Sequence, residues 1–168
     1  MTKKIFGALL ASLLWTTISP SRGQQPAKVP RIGFVSPTGD SSTPGPDVEA
    51  FRQGLRDLGY IEGTNILVEW RFIEGNTGRT PNLVGELVQL NVNILVVLSS
   101  PSIRAAKHAT KTIPVVMVTT QDPVARGFID SLAHPGANIT GVTTLQRELS
   151  EKRFELLKEG VPGISRAA

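Results

Sequence analysis

From residue 31 onward, short aliphatic runs alternate with stretches whose apolar positions recur three or four residues apart. The runs read as strands: 31–35 (RIGFV), 65–72 (NILVEWRF), 93–98 (NILVVL), 113–118 (IPVVMV) and 139–144 (ITGVTT). The periodic stretches read as helices. Over 47–59, Val48, Phe51, Leu55 and Leu58 keep helical spacing and Gly59 suits the end. Thr80-Pro81 predicts a cap followed by Pro in the first turn, opening a helix that runs to about Leu90. Further helices are predicted over 101–110, over a short span 127–133, and over 150–160 with Ser150 as its cap. Between them, 36–46 (SPTGDSSTPGP), 119–127 and 134–138 carry the Pro, Gly and hydroxyl residues of loops and turns.

Strand and helix thus alternate five times, and the runs at 93–98 and 113–118 have no polar alternation. Such runs belong to strands covered on both faces. The predicted fold is α/β: an open, mostly parallel five-stranded sheet with helices on both faces. Sheets of this kind bind ligands beyond the carboxyl ends of their strands, where the strand order reverses. Three polar loops fall at that edge: SPTGDSS after the first strand, SSPS after the third and TTQDP after the fourth. Ser36, Asp40, Ser99, Ser100, Ser102, Gln121 and Asp122 are therefore the candidate ligand-binding residues. Thr38, Ser41, Ser42 and Thr120 lie beside them. In SSPS, the start of a helix offers unpaired N–H groups and partial positive charge, which suit a carboxylate. Pro101 would fix the backbone that presents those groups. The competing role for the same hydroxyls is helix capping. Asp122 could cap the next helix or accept a ligand ammonium. Trp70 could stack on an aromatic ligand or serve as sheet packing.

The ends of the chain change the picture of where it works. Residues 1–23 hold Lys3, Lys4 and Arg22 with no acid, around the apolar core IFGALLASLLWTTI. That order, closed by SPSRG, predicts a secretory signal cut near Gly23, followed by a mature tail over 24–30. The remainder carries 15 basic and 14 acidic residues, so its net charge of +1 gives no basic face for nucleic acid. With no Cys, disulfides, thiolate metal sites and Cys nucleophiles are excluded. The chain shows no dinucleotide, P-loop or nucleophile-elbow motif. His108 and His134 are the only histidines, one near a helix end and one in a turn. The reading is a binding module without catalytic residues, metal or cofactor.

The segments RIGFVSP, FRQGLRDLGYIEGTNILVEWRFIEGN, ELVQLNVNILVV, AAKHATKTIPVVMV, DPVARGFIDSLAHPGANITGVTTL and LSEKRFELLKEGVPGISRAA carry a resemblance. Together they resemble the periplasmic substrate-binding proteins of ABC transporters, in the group that includes tryptophan and tyrosine uptake components. The resemblance spans nearly all of 30–168 and implies a type I periplasmic-binding fold: two α/β lobes joined by a hinge and closing on a ligand. It implies a non-enzymatic, periplasmic, monomeric receptor that hands a small ligand to an ABC permease in the inner membrane. On this basis 31–146 is expected to be the N-terminal ligand-binding lobe, and 147–168 a hinge-proximal helix with the truncated start of the second lobe. Gln121 departs from the small residue usual before DPV in that family. Two other functions stay open: the sensing lobe of a repressor-like regulator, and a flavodoxin-like enzyme.

Overall fold

The computed structural model describes residues 29–161. The expected signal segment 1–23, the tail as far as Lys28 and the stretch 162–168 lie outside the described residues. Five strands form one sheet: β1 (Arg31–Ser36), β2 (Leu67–Phe72), β3 (Ile94–Val97), β4 (Val115–Thr119) and β5 (Ile139–Thr143). Their order is β2-β1-β3-β4-β5, and every pairing is parallel. Helices α1 (Pro46–Asp57), α2 (Thr80–Gln89) and α3 (Ser100–Ala109) make the crossovers, and α4 (Gln146–Gly160) follows β5. The chain steps from β1 out to β2, then returns past β1 to β3. The strand order therefore reverses between β1 and β3, and the ligand site of such a sheet belongs at their carboxyl ends.

Side-chain alternation sorts the sheet into two faces. Val35, Leu95, Val97, Val115 and Met117 point to one side, where Leu83, Val84 and Leu87 of α2 and Ile103 and Ala106 of α3 cover them. Ile32, Phe34 and Val96 point to the other, against Val48, Phe51 and Leu55 of α1. Gly33 shows how tightly the first side closes. A Cβ there would lie 3.0 Å from Leu87 Cδ1 and 3.0 Å from Leu95 Cδ2. Each fully buried aliphatic side chain in such a core contributes about 1.5–3 kcal/mol. Trp70 belongs to this packing: its ring lies 5.0 Å from Phe34 and 6.0 Å from Phe51, with Arg52 4.7 Å above it.

Three local expectations are corrected. The span 127–133 is not a helix. Asp122 closes a turn over 123–127, and Gly127 then takes φ +67, which ends it. The backbone N–H groups of Asp130 and Ser131 next bond forward to Pro135 and His134 carbonyls, leaving no helical ladder. Phe128 and Ile129 are both buried, as neighbours rather than at helical spacing. Thr80 is not a cap either. A 3-10 turn over 77–79, headed by Asn76 Oδ1 accepting from Gly78 N at 3.2 Å, leads straight into α2. Thr80 sits inside the helix, buried, with no partner for its hydroxyl among the described residues. Finally, α4 begins at Gln146 rather than 150, because Leu145 turns the chain with φ 44 and the next residues are good helix formers.

Candidate functional site

The loop after β1 is shaped from within. Gly39, at φ +72, lets the chain reverse and bridge to Pro44. Asp40 Oδ1 holds that reversal, accepting from Ser42 N at 2.7 Å, Ser42 Oγ at 2.6 Å and Thr43 N at 2.8 Å. The Ser42 hydroxyl, followed by the Thr43 and Ser42 backbone N–H groups, keeps the Asp40 carboxyl below the usual range. A depressed value means that the turn favours the ionised form and loosens as pH falls through it. The loop ends at Gly45, and Asp47 in the first turn of α1 receives its hydroxyls. Ser36 Oγ lies 2.6 Å from Asp47 Oδ2, sharing its proton with Thr38 O at 2.7 Å, while Thr38 Oγ1 donates to Asp47 Oδ1 at 2.8 Å. Gly45 leaves room for this cluster, since a Cβ there would lie 2.3 Å from Thr38 Oγ1 and 2.6 Å from Asp47 Oδ1.

After β3 the four residues SSPS divide their work. Ser99 is the N-cap of α3, its Oγ accepting from Ser102 N at 3.4 Å, and Ser102 Oγ accepts in return from Ser99 N at 3.0 Å. This reciprocal cap fixes the helix start. Ser102 is fully buried within it. Ser100 points elsewhere: its Oγ donates to Gln121 Oε1 at 2.9 Å, linking the loop after β3 to the loop after β4. Gln121 is itself anchored, its N–H donating to Thr119 Oγ1 at 3.2 Å and its carbonyl accepting from Thr143 Oγ1 at 2.9 Å. Asp122 turns away to cap 123–127, with Val124 N at 2.8 Å and Ala125 N at 3.1 Å from Oδ1.

These loops surround a cavity of about 370 Å³ at the carboxyl ends of β1, β3 and β4. Pro37 and Thr38 come from the first loop, and Pro46 and Asp47 from the start of α1. The end of β3 delivers Leu98, Ser99 and Ser100, while β4 delivers Val118, Thr119, Thr120 and Gln121. Of the residues expected from sequence, Ser99, Ser100 and Gln121 line the cavity. Ser36, Asp40, Ser102 and Asp122 stand outside its lining and hold neighbouring backbone or side chains in place. Thr38 and Thr120, named beside those residues, line it as well, and among the lining residues that sequence reasoning missed Asp47 carries the charge, because a first-turn acid reads as helix-dipole compensation. A wider groove of about 620 Å³ runs along α3 from Ser100 past Arg104 and His108. The smaller cavity is the candidate site, because three strand ends and two helix starts converge on it. Hydroxyls, an amide and a helix N-terminus beside Leu98 and Val118 can bind a small molecule that is polar at one end and apolar at the other. Among the described residues, no group of three or more metal-ligating side chains occurs.

The model of the family described as ABC transporter substrate binding protein matches residues 41–168. A tyrosine-binding protein of Clostridioides difficile is 33% identical over 115 residues, which are 68% of this chain and 32% of that protein. The crystal structure of an ABC domain in complex with L-Trp from Streptococcus pneumoniae superposes with a TM-score of 0.60 at 25% identity, over 68% of this chain and 38% of that one. The ligand-free, open structure of a substrate binding protein with adhesive properties from Clostridium difficile gives a TM-score of 0.63 at 28% identity, over 80% of this chain and 45% of that one. The chain thus spans about a third of the curated relative and less than half of each solved structure. With the family model matched over residues 41–168 and a relative 33% identical over 68% of the chain, the chain belongs to the ABC transporter substrate binding protein family.

Proposed function

We propose that this chain is the ligand-capturing lobe of a solute receptor for ABC import, working in the periplasm and delivering its ligand to a permease in the inner membrane. The ligand is a small carboxylate, most simply an α-amino acid with an apolar side chain. It is bound and released, not turned over. One observation carries the reading: the cavity at the β1/β3 switch point is edged by the N-terminus of α3, with Ser100 and Gln121 already joined across it. Pro101 has no N–H and those of Ser102 and Ile103 are taken up by Ser99, so what the start of α3 offers a carboxylate is the partial positive charge of the helix end. Ser100 adds a hydroxyl whose proton would turn from Gln121 Oε1 to the ligand carboxylate, and Leu98, Val118 and Pro37 add apolar wall. Ser99 and Ser102 contribute by holding the helix start in place. The names of the relatives, one tyrosine-binding and one in complex with L-Trp, support an aromatic amino acid.

An NMR titration of the ¹⁵N-labelled chain with L-tryptophan and L-tyrosine tests this. The lobe encloses a ligand from one side, so contacts are few against the freedom that the ligand loses. The expected dissociation constant is weaker than about 100 μM. Amide shifts should concentrate at Ser99–Ser102 and Thr119–Gln121. Ser100→Ala should weaken binding by about 1.5–3 kcal/mol, the range for a hydrogen bond to a charged group. Absence of shifts at these loops with any amino acid or simple carboxylate overturns the proposal.

A further inference from the structure

We infer that Asp47 is the counter-ion for a ligand ammonium group, so that this cavity selects zwitterionic α-amino acids over the same acids without the amino group. The inference rests on the reading of the cavity as a carboxylate seat and adds the second half of the ligand. Among the described residues, Asp47 is the one charged side chain in the lining. It is half-buried, and among the described residues no Lys, Arg or His lies within ion-pair distance of it. Ser36 and Thr38 each give one hydroxyl to one of its oxygens, at 2.6 Å and 2.8 Å. A carboxylate has about four acceptor positions, so each oxygen keeps capacity for another donor. The two hydroxyls fix the carboxylate's direction without cancelling its charge.

A capping role alone does not account for this arrangement. An acid that caps a helix accepts from the backbone N–H groups of the first turn. In α1 the N–H groups of Val48 and Glu49 donate to the Gly45 carbonyl instead, and the hydrogen bonds of Asp47 go to the loop after β1. Gly45 keeps the space that lets Thr38 and Asp47 meet. The cavity therefore joins a fixed negative group from α1 with the positive end of α3. That pairing matches the ammonium and carboxylate of one α-amino acid. Asp122, for which the sequence left open a cap or an ammonium acceptor, takes the capping role and is turned to its own backbone.

The test compares L-tryptophan with 3-indolepropionate, which keeps the carboxylate and the ring but lacks the amine, on the full chain by ¹⁵N NMR titration. The unsubstituted chain should bind L-tryptophan about tenfold more tightly than 3-indolepropionate, as befits one charge-assisted hydrogen bond. Asp47→Asn preserves shape and should remove most of that preference, leaving 3-indolepropionate within about twofold of its original affinity. Thr38→Val, which frees the carboxylate without removing it, should narrow the preference by less. Retained amide dispersion in each variant shows that the fold persists. Equal loss of both ligands in Asp47→Asn overturns the inference and leaves Asp47 as a brace for the loop. So does no change in either. Equal affinity of the unsubstituted chain for the two ligands overturns it too, while the carboxylate reading stands. Failure of the unsubstituted chain to bind either ligand removes both readings.

Discussion

On the side of α2 and α3, Val35, Leu95, Val97 and Val115 are fully enclosed, whereas on the other side Val118 and Val142 stand 40% and 64% exposed. The difference follows from the crossovers. Two helices cover the first face, and their inward residues mesh with β1, β3 and β4. On the second face α1 covers β2, β1 and β3, and its cluster reaches Val116 before cover ends. Val118 and Leu98, two apolar parts of the cavity wall, lie on this second side. The sealed face holds the energy of folding, and the half-covered face holds the space where a ligand fits. A fully packed interior has no room for a ligand, so the site forms at the margin of the α1 layer.

Leu87 carries the largest expected effect. It is fully buried and presses against the backbone at Gly33. Leu87→Ala should cost about 2–5 kcal/mol, the range for a truncated core leucine with partial collapse of the cavity. Urea unfolding followed by circular dichroism measures it. A loss below about 1 kcal/mol would mean that the α2 face is loosely packed and that the two faces do not differ.

The fold was legible because its signals are local. Five aliphatic runs gave five strands, each within two residues of its observed end, and the helices over 46–57, 80–89 and 100–109 followed from apolar spacing. The false helix at 127–133 arose because apolar residues near a turn imitate periodicity, while the positive φ at Gly127 and the forward bonds to Pro135 and His134 are tertiary facts. The site was legible in part. Strand-end logic found Ser99, Ser100 and Gln121, which line the cavity. It could not separate Ser102, one residue past Pro101, whose hydroxyl is buried in the cap. It missed Asp47 because 11 residues separate it from Ser36, and no spacing rule relates a loop hydroxyl to a helix acid at that distance. A loop rich in hydroxyls ending in Gly45-Pro46-Asp47 was the available clue.

Ser102 gives a smaller and sharper contrast within a single helix turn. Ser102→Ala removes one half of the reciprocal cap and leaves the Ser99 N–H without its hydroxyl partner. The expected loss of ligand-free stability is about 0.5–2 kcal/mol. The same measurement on Ser100→Ala should give less than about 0.5 kcal/mol, since among the described residues its hydroxyl bonds the Gln121 side chain across the cavity and no backbone group. If the two losses were equal, Ser100 would belong to the structural cap, and the division of labour within SSPS would fail.

The smallest effect is expected at the edge strand. Val142→Thr exchanges one β-branched residue for another of nearly equal shape and strand preference. On a side chain 64% exposed, the new hydroxyl meets water and needs no internal partner. The change in stability should stay within about 0.5 kcal/mol. The same exchange at Val97, which is fully enclosed between α2 and α3, puts a hydroxyl among Leu83, Leu87 and Ile103. There it should cost about 1–3 kcal/mol, because a buried hydroxyl without a partner loses its hydration uncompensated. The ratio of the two losses measures how far the faces differ, free of any difference in side-chain size. Urea melts at two protein concentrations complete the test. A loss above about 1 kcal/mol at Val142 that grows with protein concentration would show that this face is covered by another copy in solution. A loss independent of concentration would show that α4 packs over it within the chain, and the contrast between the faces would then disappear.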